Sequence, residues 1–229
     1  MKLLQSILLI LLICRPDLLN ADNRLLLYGT ELSEESSYIY LGTIIPWQYS
    51  QDTYYLRLWS DAQIYEYQSN DQTIDVDSEN IQLSIGKQFL HEQGWMSIYL
   101  RLTRNTTDLE PDEPGNDSAG TNTQGLISLD GEYNSSTCDH GIIYGASYLF
   151  DQRAYWWRVR PVCWSRKSID VGFEVVNHGD KNYNHVQLGG VLYNMAISNN
   201  TDYTLKAGLT HTQDSNSFAY IGIEFTTRY

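Results

Sequence analysis

Read by twos from its last residue, the chain separates into two rows. Tyr229, Thr227, Phe225, Ile223, Ile221 and Ala219 form one, and Arg228, Thr226, Glu224, Gly222 and Tyr220 form the other. A period of two belongs to a β-strand, and a mostly apolar row backed by a polar, charged row means that the two faces meet different solvents. In a soluble sandwich the apolar row meets a second sheet. In an outer-membrane barrel it meets lipid, and the polar row faces the lumen. A final strand of this length, ending on an aromatic residue, is what such a barrel uses to close on its first strand.

The same alternation recurs along the chain in segments of about ten residues separated by polar turns. About twelve are expected: Arg24–Leu32, Tyr38–Ile45, Tyr54–Tyr67, Ile74–Phe89, Trp95–Asn105, Gln124–Tyr133, Gly141–Phe150, Tyr155–Cys163, Ile169–Asn177, Tyr183–Met195, Tyr203–His211 and Phe218–Tyr229. Leu56, Leu58, Ala62 and Ile64 oppose Arg57, Trp59, Asp61 and Gln63, and Ile98, Leu100 and Leu102 oppose Tyr99, Arg101 and Thr103. Charges fall almost wholly on one row, as they must if the other faces lipid, where a midplane charge costs about 2–4 kcal/mol. The first two segments and Gly141–Phe150 are apolar on both rows, which leaves their orientation open. An even number of strands puts both ends on one side, and the longest turn, Thr106 to Thr123, then falls on the outer side. It is rich in Pro, Gly, Asp and Asn and reads as loop. The fold expected is an all-β, antiparallel, up-and-down transmembrane β-barrel.

The net charge is −13, and tyrosine, at 18 residues, is the most frequent aromatic. An acidic chain without a basic cluster argues against nucleic acid, whose phosphates need lysine and arginine. Tyrosine suits strand surfaces and membrane–water boundaries. Residues 1–21 read as a signal peptide: Lys2 leads, Leu3 to Cys14 are apolar, and Leu19-Asn20-Ala21 offers a cleavage site. Residues 22–229 are then a single barrel domain, with no later apolar run long enough for a spanning helix. The two remaining cysteines, Cys138 and Cys163, lie nearly opposite across a hairpin and are expected to form a disulfide.

Inward parity gathers Arg57, Arg101, Arg158, Arg160, Lys206 and Arg228 with Asp61, Asp130, Glu132, Asp170, Glu174 and Glu224. A balanced mixture of this kind knits a lumen together by salt bridges and narrows or blocks it. The second reading is a polar track for a solute or sugar chain, helped by the lumenal aromatics Trp59, Tyr99 and Trp156. Catalysis has little support. His211-Thr212-Gln213-Asp214-Ser215 holds triad residue types, but neighbours in a turn rarely reach triad geometry, and no Gly-x-Ser-x-Gly elbow occurs. A lipid hydrolase using His185 or His211 is one rival reading. Four glycosylation sequons, starting at Asn105, Asn116, Asn134 and Asn199, favour the other, a secreted soluble β-sandwich that binds a partner. Asp112, Glu113 and Asp117 lack a calcium-loop pattern and read as a solvated acidic loop. No cofactor or metal is expected.

Leu109-Glu110-Pro111-Asp112-Glu113-Pro114-Gly115-Asn116 closely resembles the Leu-x-Pro-Asp-Asp-Pro-x-Asn stretch of the cellulose biosynthesis protein BcsS family. Tyr55-Leu56-Arg57-Leu58-Trp59 and Tyr40-Leu41-Gly42-Thr43 resemble earlier segments of it. The chain departs at Glu113, where the family tends to have Asp, and at Asp117-Ser118-Ala119, where a basic residue often precedes the Gly. Within the motif each proline fixes φ and biases its predecessor to an extended form, which favours a structured outer turn around Leu109, Pro111, Asp112, Glu113, Pro114 and Asn116. The resemblance implies an outer-membrane protein of Gram-negative bacteria, tied to cellulose or other exopolysaccharide production in biofilm. Its partners would be lipid, the polysaccharide or other cellulose-export subunits. It implies no catalytic residue.

Overall fold

Alternation becomes pairing in the computed structural model, which describes residues 24–49, 52–69, 72–113, 116, 119–135, 139–163, 169–180, 184–212 and 217–229. Twelve strands follow one another: β1 (Leu25–Ser33), β2 (Ser36–Tyr49), β3 (Asp52–Ser69), β4 (Gln72–His91), β5 (Gly94–Glu110), β6 (Gly120–Asn134), β7 (His140–Leu149), β8 (Ala154–Cys163), β9 (Asp170–Gly179), β10 (Asn184–Ser198), β11 (Thr201–Thr212) and β12 (Ser217–Arg228). Each pairs antiparallel with its sequence neighbours, and β1 pairs with β12 to close the barrel. Closure leaves no unpaired sheet edge, which is what allows a sheet to be solvated by an apolar phase. The expected signal peptide lies outside the described residues.

The seam runs from Leu25↔Arg228 to Ser33↔Tyr220. Beyond it, the Arg24 and Tyr229 amides each donate to the other's carbonyl at 3.1 Å. Tyr28 and Phe225 stack across it with ring centroids 4.8 Å apart. The apolar row of the last strand therefore does face outward, together with exposed Leu83, Ile85, Leu100, Leu102, Phe173, Leu188, Leu209 and Ile221. An outward belt this apolar is what a barrel presents to hydrocarbon.

Three features depart from the expected pattern. First, β4, β5 and β6 are longer than their alternation indicates, so the expected Thr106–Thr123 turn shrinks to the segment between Glu110 and Gly120. The added length of β5 is acidic on its outward row and pairs with the start of β4: Glu110 sits opposite Asp75, and Asp108 opposite Asp77. Here the usual contrast is reversed, with acidic residues outward and Ile74 and Val76 buried inward, while the backbone ladder continues. Second, the two-sided apolar strands acquire an orientation. Tyr40 faces inward, stacked on Trp59 at 4.7 Å, with Gly29 giving it room: a Cβ there would lie 2.8 Å from the Tyr40 hydroxyl. Third, β10 carries a bulge between Leu192 and Met195, where Asn194 takes a φ of 54°.

The bridge expected between Cys138 and Cys163 falls on a residue outside those described. Cys163 itself ends β8 as an exposed free cysteine opposite His140.

Candidate functional site

The inward row is where the strands collect their charge. On one wall, Arg160 of β8 is 1% exposed and lies between two carboxylates. Its Nε donates to Glu174 of β9, and its Nη1 and Nη2 donate to Glu224 of β12 at 3.0 and 2.8 Å. Lys206 of β11 reaches Glu31 of β1 at 2.6 Å and Glu224 at 3.2 Å. Gln187 of β10 donates to Glu31 at 2.5 Å, and Arg158 approaches Glu224 at 3.7 Å. Five neighbouring strands and β1 are thereby tied across the interior. Charges this deep need close partners, because their desolvation is offset only by ion pairs and hydrogen bonds of good geometry.

The opposite wall, β3 to β6, is built differently. The Arg57 guanidinium lies 4.4 Å over the Trp59 ring and contacts Asp130 once, at 3.3 Å. Arg101 lies 5.6 Å from Tyr99, and its Nη1 donates to Gln82 at 3.4 Å. Arg158 and Trp156 repeat the arginine–aromatic pairing at 5.6 Å. Asp61 accepts from Asn80 at 3.3 Å, and Glu132 accepts from Asn134 at 2.7 Å near the end of β6. So Arg158, Arg160, Glu174 and Glu224 form one cluster and Arg57, Trp59 and Asp130 a second. Asp61 and Glu132 bond locally. Glu31 and Gln187 complete the network; neither stood out in the sequence, because β1 is apolar on both rows and Gln187 is uncharged.

At the mouth, the β5–β6 loop folds back onto β3. The Tyr67 hydroxyl and Asn116 Nδ2 donate to Glu113 Oε2 at 2.5 and 2.9 Å, and Ser69 donates to Oε1. These donors, Ser69 foremost, hold the Glu113 carboxyl below its ordinary range. Leu109, Pro111 and Asp112 lead into this clasp, whereas Pro114 and Asp117 lie outside the described residues. Among the described residues, no group of three or more His, Cys, Asp or Glu is placed to hold a metal ion. His185 stacks on His178 at 4.4 Å and pairs with the Thr210 hydroxyl; His211 faces the Ser217 hydroxyl at 3.3 Å. Asp214 and Ser215 lie outside the described residues.

The family model of the cellulose biosynthesis protein BcsS matches residues 25–229, the whole barrel. The chain belongs to the BcsS family. No curated protein matches it. Solved structures share the architecture of this BcsS-family barrel at low identity. The KdgM porin in complex with disordered oligogalacturonate is 12% identical, with a TM-score of 0.53 over 90% of this chain and 99% of that one. An outer-membrane channel from Pseudomonas putida F1 is 6% identical, with a TM-score of 0.58 over 92% and 97%. The translocator domain of the autotransporter NalP from Neisseria meningitidis is 11% identical, with a TM-score of 0.54 over 99% and 95%. The BcsS-family chain thus has an outer-membrane-type barrel fold.

Proposed function

We propose that this BcsS-family protein is an exported barrel, seated in the Gram-negative outer membrane after loss of residues 1–21. There it serves production or export of cellulose, or of a related exopolysaccharide, without catalysing a reaction. The observation that carries the reading is how the lumenal charges are used. Arg160, Lys206, Glu31, Glu174 and Glu224 engage one another across the interior, an arrangement suited to bracing a barrel. No comparable geometry joins a nucleophile, base and orienting acid among the described histidines. The family match supports the cellulose link, and the outward apolar belt supports lipid as the surrounding phase. The short turns and the clasped outer loop are the surfaces left for other export subunits or for the polysaccharide itself.

Gene deletion in a cellulose-producing host, scored by cellulose-binding dye, tests this. Dye binding should fall and return with the wild-type gene, and equally with His185→Ala or His211→Ala versions. Undiminished cellulose in the deletion strain overturns the reading. Failure of either histidine variant to complement, with normal protein in the membrane fraction, moves the hydrolase to the front.

A further inference from the structure

On the β3–β6 wall, inward polar atoms outnumber their partners. Arg57, Ser84 and Arg101 stand side by side on β3, β4 and β5, in direct register. Arg57 Nε, Ser84 Oγ and Arg101 Nε are shielded and make no hydrogen bond. Ser84 is 1% exposed. The carboxylates nearby do not meet this demand: Asp130 touches Arg57 through Nη1 alone, and Asp61 is engaged with Asn80. Arg160, by contrast, reaches carboxylates through Nε, Nη1 and Nη2. The shielded atoms without a hydrogen bond in its cluster, Glu174 Oε1 and Arg158 Nε, do not form a neighbouring pair of arginines flanking a hydroxyl.

The two guanidinium groups are also held in place. Arg57 is stacked on one face of Trp59, and Tyr40 covers that ring as well. Arg101 lies over Tyr99, whose own ring fills the space left by Gly86, where a Cβ would fall 2.4 Å from the ring. Fixed planar forks on either side of a hydroxyl match the oxygens of a carboxylate or phosphate. Water can satisfy a hydroxyl, but it does not supply the negative charge that Asp130, the carboxylate paired with Arg57, leaves short beside two guanidinium groups.

We propose that Arg57, Ser84 and Arg101 form an anion-binding cradle in the lumen that takes the carboxylate or phosphate of a small acidic solute. Trp59 is already stacked by Arg57 and Tyr40, so recognition rests on charge rather than on ring stacking. The ligand class is therefore acidic, not neutral glucan. This inference does not depend on the cellulose role.

The test is titration of the detergent-folded full chain, followed by tryptophan fluorescence, with glucuronate, inorganic phosphate and glucose. Glucuronate, phosphate or both should saturate, which also tells carboxylate from phosphate, and glucose should not. Added salt should weaken binding. Arg101→Gln should raise the dissociation constant at least about tenfold, with Arg101→Lys recovering part of the loss. Ser84→Ala, a smaller change with less risk to folding, should weaken binding several-fold. The cradle is overturned if neither anion saturates, if glucose binds as well as glucuronate, or if Arg101→Gln and Ser84→Ala bind as wild type. Because the readout is binding to purified protein, it stands or falls separately from the cellulose phenotype.

Discussion

Arg160 on β8 grips both carboxylate oxygens of Glu224 on β12, 64 residues later in the chain, at 3.0 and 2.8 Å. Four strand boundaries separate the two along the wall, so the contact is a strut across the interior rather than a rung of the ladder.

Cutting one end of that strut's network should be costly. Glu174→Ala leaves Arg160 buried with one carboxylate fewer, and the expected loss is about 3–5 kcal/mol. Replacing Arg160 and Glu174 together by methionine should cost less than the single change, since Glu224 keeps Lys206. Urea unfolding in lipid vesicles compares the two.

The outward belt predicts where charge is tolerated. Leu100 is 64% exposed, and Leu100→Arg near the midplane should cost about 2–4 kcal/mol. Asp77→Asn, on the acidic extension opposite Asp108, should be neutral or slightly stabilising, because it relieves like charges on paired strands. Vesicle folding yields and the heat-dependent gel shift distinguish them.

Packing of rings into glycine gaps can be tested by filling one. A Cβ at Gly42 would lie 2.2 Å from the Trp59 ring, whereas one at Gly125 meets nothing within 4 Å. Gly42→Val should destabilise by about 1–3 kcal/mol, and Gly125→Ala should leave the unfolding midpoint unchanged.

The loop clasp has a pH sign. Glu113 has a depressed folded pKa through Ser69, Tyr67 and Asn116. Its stabilisation of the loop is therefore complete above the unfolded value near 4.5 and lost as pH falls through the lower folded value. Limited proteolysis in the β5–β6 loop should be slow at neutral pH and accelerate in acid. Glu113→Ala should be cut quickly at every pH.

The strand count, the antiparallel closure and the inward parity of Arg57, Arg101, Arg160, Glu174 and Glu224 were legible because period two reports a two-solvent sheet directly. Strand length was not. Along Thr106, Asp108 and Glu110 the outward row of β5 turns polar and acidic, so the added length lacks the apolar outward row that marks the other strands. Partnerships were less legible still. Nothing local in the chain announces that Glu113 will meet Tyr67 and Ser69, or that Gln187 will meet Glu31, 156 residues away. Those contacts follow from barrel stagger and from a loop's path, which alternation does not encode. Trp59 illustrates the same gap: its inward position was readable, but its occupation by Arg57 and Tyr40 was not.

The mutual bonds of Arg24 and Tyr229 make the ladder a ring without a privileged origin. Joining those two residues through a short linker and opening the chain within the β5–β6 loop would give a circular permutant with all twelve strand pairings intact. Only the order in time would change. The β1–β12 pairing, which now waits for the most distant strands to meet, would become local, and β5 with β6 would inherit the long wait. Where the seam lies is thus a matter of the order of synthesis, while the finished wall is indifferent to it.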